Sequence, residues 1–430
     1  MLKNIKGAVS KIKTRQTKSR EAKHEHLIAL DIGTEFVKAL IARLDGDRMS
    51  IVGVGKVRQQ LADMSAGAIA DITAVVANCD QALTQAEQMS GVAARNCVIG
   101  IAGELVQGNT TTIRIKRKDS GRAIDVTEIE KMMHIIQDRA MIRAKSKIEA
   151  ETGGRTPDVK LVNSALVSME IDGYKVTNPI GFQGRDVTVQ LYTAFAPQVH
   201  IGALERCASD LDLDLLAVAA EPFGVARSVI GNDANNNMSA ILIDVGGGTT
   251  DIAVVNEGGV EGTKMFSIGG RIFTKSIERE LGVDYVTAEA LKVGLSNGRT
   301  TETQRVEVES AISKTLDVWL NGVELALSEF TQLDSLPNQI YLCGGGASLQ
   351  MLVDALSEKR WFTELPFTKK PVVQYITPNH VVGIVDTTNQ LADHTFITAM
   401  GLLRVGADTL GVFETNGTSI RDRMNKILRT

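Results

Sequence analysis

Apolar positions along residues 27 to 58 alternate with the period of strands, with turn residues at Asp45-Gly46 and at Gly53 to Gly55. From 67 to 90 the period becomes helical, with Ile69, Ile72, Val75, Val76, Cys79 and Leu83 on one face, and "NCVIGIAG" (96 to 103) reads as a buried strand. Strands, a helix and a strand in this order predict an α/β domain. Between about 105 and 195 the texture changes to an alternating "TTTIRIKRK", a helix from Val126 to about Lys147, a break at Gly153-Gly154, and two strand patterns, "LVNSALVSMEIDGYKV" and "RDVTVQLYTAFAP". This stretch reads as a small self-contained α+β insertion, because a helix from His200 to Asp210 and the strand "LLAVAA" then restore the first texture. A second half follows, with a strand at Ala240 to Asp244, helices at about 271–281, 284–294 and 303–330, the strand "QIYLCGGG", and a helix from Ser348 to about Leu356.

Each half opens on the same device. "LIDVGGGTTDIAVV" (242 to 255) runs one apolar stretch through Asp244 and three glycines into another, and "ALDIGTEFVKALIA" (29 to 42) does so through Asp31, Gly33 and Thr34. The two aspartates lie 213 residues apart, which points to an internal duplication. A turn without Cβ atoms suits a hairpin, and it also lets backbone N–H groups approach an anion such as phosphate. Gly269-Gly270 before one helix and Gly344, Gly345 and Gly346 between a strand and another offer the same kind of donor-rich end. Neither a P-loop nor a dinucleotide-binding glycine pattern is present.

At 430 residues the chain exceeds one ordinary core, so at least two domains are expected. The net charge of −4 conceals an asymmetry: residues 1 to 25 carry +6 and the rest −10. A basic tail on an acidic body favours an anionic surface as partner and argues against a nucleic-acid-binding body. The tail places Leu2, Ile5, Val9 and Ile12 at helical spacing, and "TSIRDRMNKILRT" at the other end sets Ile420, Met424, Ile427 and Leu428 against Arg421, Arg423, Lys426 and Arg429, an interfacial-helix pattern. Cys79, Cys97, Cys207 and Cys343 have no metal-ligand spacing and read as buried thiols in a reducing compartment. No signal peptide or membrane-spanning run is expected.

These motifs together resemble the actin-like ATPase superfamily, whose pattern is two phosphate hairpins, a connecting helix and a glycine-rich adenosine loop. "LDIGTEFVKALI" is similar to the first hairpin, "DVGGGTTDIAV" to the second, "AEPFGVA" with Glu221 to the connection, and "YLCGGGASL" to the adenosine loop. Within the superfamily the chain most resembles FtsA, the membrane-tethered actin homologue of bacterial division. The carriers are "NPIGFQGRDVTVQLYTAFAP" at the end of the insertion, "TAEALKVG" (287 to 294) and "TAMGLLRVGAD" (398 to 408). The implied fold is two duplicated α/β domains around a nucleotide cleft: 27–104 with 196–238, and 239–394 with a short helical subdomain at 271–338. The insertion occupies 105–195, a last core helix 395–412, and tails 1–26 and 413–430.

The resemblance implies ATP and Mg²⁺ as cofactors. Asp31 and Asp244 would face the metal through its waters, and Gly33, Thr34, Gly246, Gly247, Gly248, Thr249 and Thr250 would cradle the phosphates. Gly269, Gly270, Gly344, Gly345 and Gly346 complete the binding set, with Glu289 and Lys292 toward the ribose and adenine. Lys38 either adds charge or, as a strand residue, faces water. Glu221 either positions the attacking water for a weak ATPase or caps the helix after Pro222, and Glu289 with Lys292 is equally readable as a plain ion pair. Implied partners are copies of the chain itself, an anionic membrane on its cytoplasmic face, and an FtsZ-like division protein. Only 51 residues separate Lys292 from Gly344, fewer than FtsA gives to the subdomain that docks FtsZ. In this the chain is more like PilM, the type IV pilus relative, and a PilM-like cytoplasmic adaptor that binds nucleotide with little turnover is the alternative. Kinase and chaperone readings lack, respectively, an extra acid in a phosphate-loop context and a peptide-binding domain after 412.

Overall fold

The computed structural model describes residues 25–412 apart from 47, 155–157, 232–236 and 359. The terminal amphipathic patterns expected to meet a membrane lie outside the described residues, except for Glu25 and His26.

The duplication is written in the two sheets. In the first, β1 (His26–Ile32), β2 (Phe36–Asp45) and β3 (Arg48–Arg58) form an antiparallel meander, and β6 (Asn96–Ile101) and then β11 (Asp214–Ala220) add in parallel beside β1. In the second, β12 (Ala240–Val245), β13 (Thr250–Asn256) and β14 (Gly259–Phe266) repeat the meander, and β15 (Gln339–Cys343) and then β16 (Val372–Tyr375) add in parallel beside β12. β17 (Ile384–Asp386) closes the far edge of the first sheet against β3. Every residue of β1, β6 and β12 is buried, as expected for central strands covered on both faces.

Gly53 and Gly55 are not turn residues. They lie inside β3 because the helix α1 (Ile72–Ser90) crosses that strand at backbone distance, and a Cβ on either glycine would overlap the carbonyl oxygen of Ala86 or Ala82. α1 itself begins later than the apolar period suggests. Residues 64–69 fold into the small hairpin of β4 (Met64–Ser65) and β5 (Ala68–Ile69), and Asp71 caps the helix by accepting from the Ala74 N–H. Gly55→Ala is therefore expected to destabilise the protein by about 1–3 kcal/mol. Gly202→Ala, in an open helical position with nothing near its Cβ, should stabilise by about 0.5–1 kcal/mol. Thermal midpoints of the two variants check this pair of opposite signs.

The insertion has the expected order: β7 (Gln107–Lys116), α2 (Val126–Glu151), β8 (Val159–Ile171), β9 (Tyr174–Lys175) and β10 (Asp186–Pro197). Ile129, Met132, Met133 and Ile136 of α2 pack on Ile113, Val187, Val189 and Leu191 of the sheet. The unit is not self-contained, however. Gly108 and Asn109 of β7 pair with Thr263 and Gly262 of β14, which joins its strands to the second sheet. Tyr192 of β10 adds a stack on Phe223, with centroids 5.1 Å apart, and a hydroxyl contact with Thr263 at 3.1 Å.

α3 (Gln198–Asp210) leads to β11, and α4 (Glu221–Ile230) follows that strand directly. α5 (Gly270–Leu281), α6 (Tyr285–Ser296), α7 (Glu302–Ser328) and α8 (Gln350–Glu358) cover the second sheet, with Phe273, Ile277 and Trp319 in the shared core. α9 (Ile397–Leu410) returns to the first half and crosses α4 where Gly401 meets Gly224, a backbone approach that leaves no room for a Cβ on Gly401. All four cysteines are buried, and no helix among the described residues is long and apolar enough to cross a membrane.

Candidate functional site

Asp31 and Asp244 are the penultimate residues of β1 and β12, so each carboxylate leaves its sheet just before a glycine turn. In the first turn Gly33 donates to the Phe36 carbonyl at 3.1 Å, and in the second Gly246 donates to the Thr249 carbonyl at 2.9 Å. The hairpin tips abut: a Cβ on Gly248 would sit 2.7 Å from Thr34 Oγ1, and one on Gly247 would sit 2.9 Å from Glu35 Cβ. Behind them opens a cavity of about 320 Å³ lined by residues of both halves. Gly344, at φ +85°, has no space for a Cβ beside the Asp244 carboxylate, and a Cβ on Gly346 would sit 2.8 Å from the Gly246 carbonyl oxygen. Gly345 opens onto the cavity.

Among the carboxyl side chains that line this cavity are Asp31, Glu221, Asp244 and Asp251, with Lys38 beside Asp31. Lys38 does not face water. It stands directly opposite Asp31 in the hairpin, its Nζ is 2.9 Å from Asp31 Oδ2, and its side chain is only 12% exposed. Burial works against its charge, but Asp31, with Asp244 and Glu221, outweighs burial and holds the ammonium pKa above its ordinary value. Glu221 is pushed well above the usual carboxylate range, first by burial and then by the charges of Asp31, Asp251 and Asp244. Its carboxyl group is at the same time the acid of the first turn of α4, where the helix dipole favours a negative charge. Gly100 leaves the room it occupies, since a Cβ there would lie 2.7 Å from Glu221 Oε1. Asp244 is also raised, by burial, with the Thr398 hydroxyl opposing the shift by donating to Oδ2. Asp251 is raised well above its ordinary value by burial and by Asp244, and its Oδ1 is buried without a hydrogen-bond partner.

The remaining wall comes from α5 and α6. Glu289 and Lys292 do form an ion pair, at 2.8 Å, and both also line the cavity. Lys292 donates to the Gly270 carbonyl at 3.0 Å and to Thr274 at 2.7 Å, fixing the entrance of α5 against α6. Burial opposes the charge of Glu289, and Lys292 and Thr274 overcome it to hold its pKa below the usual range. Thr249 faces the cavity and Thr250 does not. The Thr250 hydroxyl donates to the Ile268 carbonyl at 2.6 Å and accepts from Trp319 Nε1 at 2.9 Å, which ties the hairpin to α7. Gly248 and Gly269 also serve close packing, against Thr34 and against Gly246, rather than lining the cavity.

The family profile for "Cell division protein FtsA" matches residues 241–401, the half that carries the second hairpin and the triple glycine. The cell division protein FtsA of Enterococcus hirae is 24% identical over 359 residues, 78% of this chain and 77% of its own length. That of Pseudomonas aeruginosa is 22% identical over 401 residues, 88% of this chain and 89% of its own. The chain is FtsA-like, on the actin-like ATPase fold. Among solved structures, the PilM-PilN type IV pilus biogenesis complex shares that fold, with a TM-score of 0.62 at 17% identity over 90% of this chain and 99% of the other.

Within this FtsA-like cleft three groups escaped the sequence reading. Asp251 stands opposite Asp244 in β13, at the position that Lys38 holds opposite Asp31 in β2. The duplication itself, carried seven residues past each aspartate, would have found it. Thr398 reaches Asp244 from α9, a contact across 154 residues with no local signal. Arg271, one residue past the Gly269-Gly270 pair, also lines the cavity.

Proposed function

We propose that the chain is an ATP-binding actin-like protein of the FtsA type that acts in bacterial cell division as a membrane-associated filament or scaffold. The observation that carries this is the meeting of two equivalent aspartate-glycine hairpins, one from each half, at a single cavity that the triple-glycine loop also borders. Its residues suit a magnesium nucleotide. The hairpins present backbone too closely packed for side chains, Asp251 Oδ1 is buried without a partner, and the carboxyl groups lining the cavity (Asp31, Glu35, Glu221, Asp244, Asp251 and Glu289) outnumber its cations (Lys38, Lys56, Arg271 and Lys292). Among the described residues no three His, Cys, Asp or Glu side chains converge as metal ligands. Asp31 and Asp244, one carboxylate from each hairpin, suit Mg²⁺, which keeps several of its own waters and would neutralise phosphate charge. Gly33, Thr34, Gly246, Gly247 and Thr249 would hold the phosphates, Gly344 to Gly346 with Lys292 and Glu289 the adenosine, and Glu221 would orient water for a slow ATPase.

Membrane attachment is assigned to the two ends. One short amphipathic helix holds a bilayer weakly, and linking weak sites through self-association raises avidity by roughly 10² to 10⁴. Deleting residues 1 to 25 and 418 to 430 together should abolish binding to anionic vesicles and leave ATP affinity intact. Each single deletion should leave partial binding that fades as salt rises. Sedimentation with vesicles of anionic lipid decides it: a doubly truncated chain that still pellets removes the membrane from this account. The compact stretch between Lys292 and Gly344 supports a second reading, a cytoplasmic adaptor resembling PilM, for which nucleotide would bind with little turnover.

A further inference from the structure

Arg271 touches both hairpins at once. Its backbone N–H donates to the Gly247 carbonyl at 2.8 Å, so its main chain belongs to the second hairpin. Its guanidinium crosses to the other half, with Nη2 donating to the Thr34 carbonyl at 2.6 Å, Nε to Glu35 Oε2 at 2.9 Å and Nη1 to the Leu61 carbonyl at 3.3 Å. Glu35 is gripped from its own side as well, by Arg58 Nε at 2.8 Å. An exposed ion pair contributes little. This one is different in kind: the Arg271 and Glu35 side chains are 13% and 16% exposed, and the planar fork also binds a main-chain carbonyl, which fixes direction as well as distance.

We propose that Arg271 is a positioning residue, a latch that holds the two hairpin tips together whether or not the cavity is filled. The inference rests on the nucleotide reading of the cleft. Phosphates that lie across both hairpins can enter or leave only when the tips part, and the guanidinium's contacts with Thr34, Glu35 and Leu61 must break for that. Because the latch acts equally on the empty and the filled closed states, it shifts no binding equilibrium. It slows entry and exit alike. A residue that merely contacted nucleotide would change the exit rate alone, and one that merely supported the fold would weaken affinity.

The test is stopped-flow binding of a fluorescent ATP analogue with Mg²⁺ to the full chain and to three variants. Arg271→Ala should raise the association and dissociation rate constants together, each by roughly tenfold, as loss of charged hydrogen bonds predicts, with Kd moving by less than about threefold. Glu35→Gln, which breaks the latch from the other half, should move both rates in the same direction. Arg271→Lys, keeping the charge without the fork, should fall between wild type and Arg271→Ala. A rise in the dissociation rate alone, or no change in either rate, overturns the latch. A wild-type chain that binds no analogue overturns the cleft reading itself, and the latch with it.

Discussion

Glu221→Gln is expected to keep ATP in the cleft with nearly unchanged affinity while hydrolysis slows by about 10²-fold or more. The carboxyl group stands at the first residue of α4, in the cavity and beside Asp31, Asp244 and Asp251. A group so placed can orient a water toward a phosphate held between the hairpins, an interaction that matters in the transition state more than in the ground state. Glutamine preserves shape and removes the ability to ionise or exchange a proton. Phosphate release and equilibrium binding, measured on the same preparation, separate the outcomes. A variant that loses affinity and turnover in parallel shows that Glu221 supports the cleft's structure instead.

The second large effect runs against function. Asp244, Asp251 and Glu221 all have folded-state pKa values raised above the ordinary carboxylate range, chiefly by burial. For an acid with a raised folded pKa, the folded state binds the proton more tightly than the unfolded chain, so its ionisation costs stability. That cost is absent below about pH 4, where both states are protonated, and grows as pH rises through the unfolded value toward the folded one. Without nucleotide or divalent cation, the protein should therefore lose stability through these groups between about pH 4 and neutrality. Asp251→Asn should recover about 1–3 kcal/mol of it at pH 7, the scale of one badly satisfied buried group, and should weaken Mg-ATP binding in the same step. Denaturant midpoints across pH for wild type and Asp251→Asn check the sign. A variant that is less stable at neutral pH contradicts it.

Local chemistry made the site legible and long-range packing hid its completion. The hairpins at Asp31 and Asp244, the triple glycine and the helix starting at Glu221 are short strings whose turn and end chemistry is written in place. Gly53 and Gly55 were misread as a turn because glycine also serves close packing, and only the arrival of α1 over β3 distinguishes the two uses. Lys38 reads from sequence either as added charge or as a strand residue facing water, and the register that places it opposite Asp31 decides between the two. Thr250 belonged to the right motif and points the other way, since alternate residues of a strand face opposite sides. The pairing of β7 with β14 rests on two residues from each strand, too short a pattern to be read from a sequence.

The central claim is that one nucleotide is held between two equivalent hairpins, and titration calorimetry of Mg-ATP into the full chain tests it most directly. Asp31→Ala and Asp244→Ala remove one carboxylate from each half without touching the other hairpin. Each alone should weaken Mg-ATP binding at least tenfold, on the scale of a lost charged interaction. The wild-type stoichiometry should be one nucleotide per chain. Unchanged affinity in both variants would contradict the account, because a nucleotide indifferent to both aspartates is not bound between them.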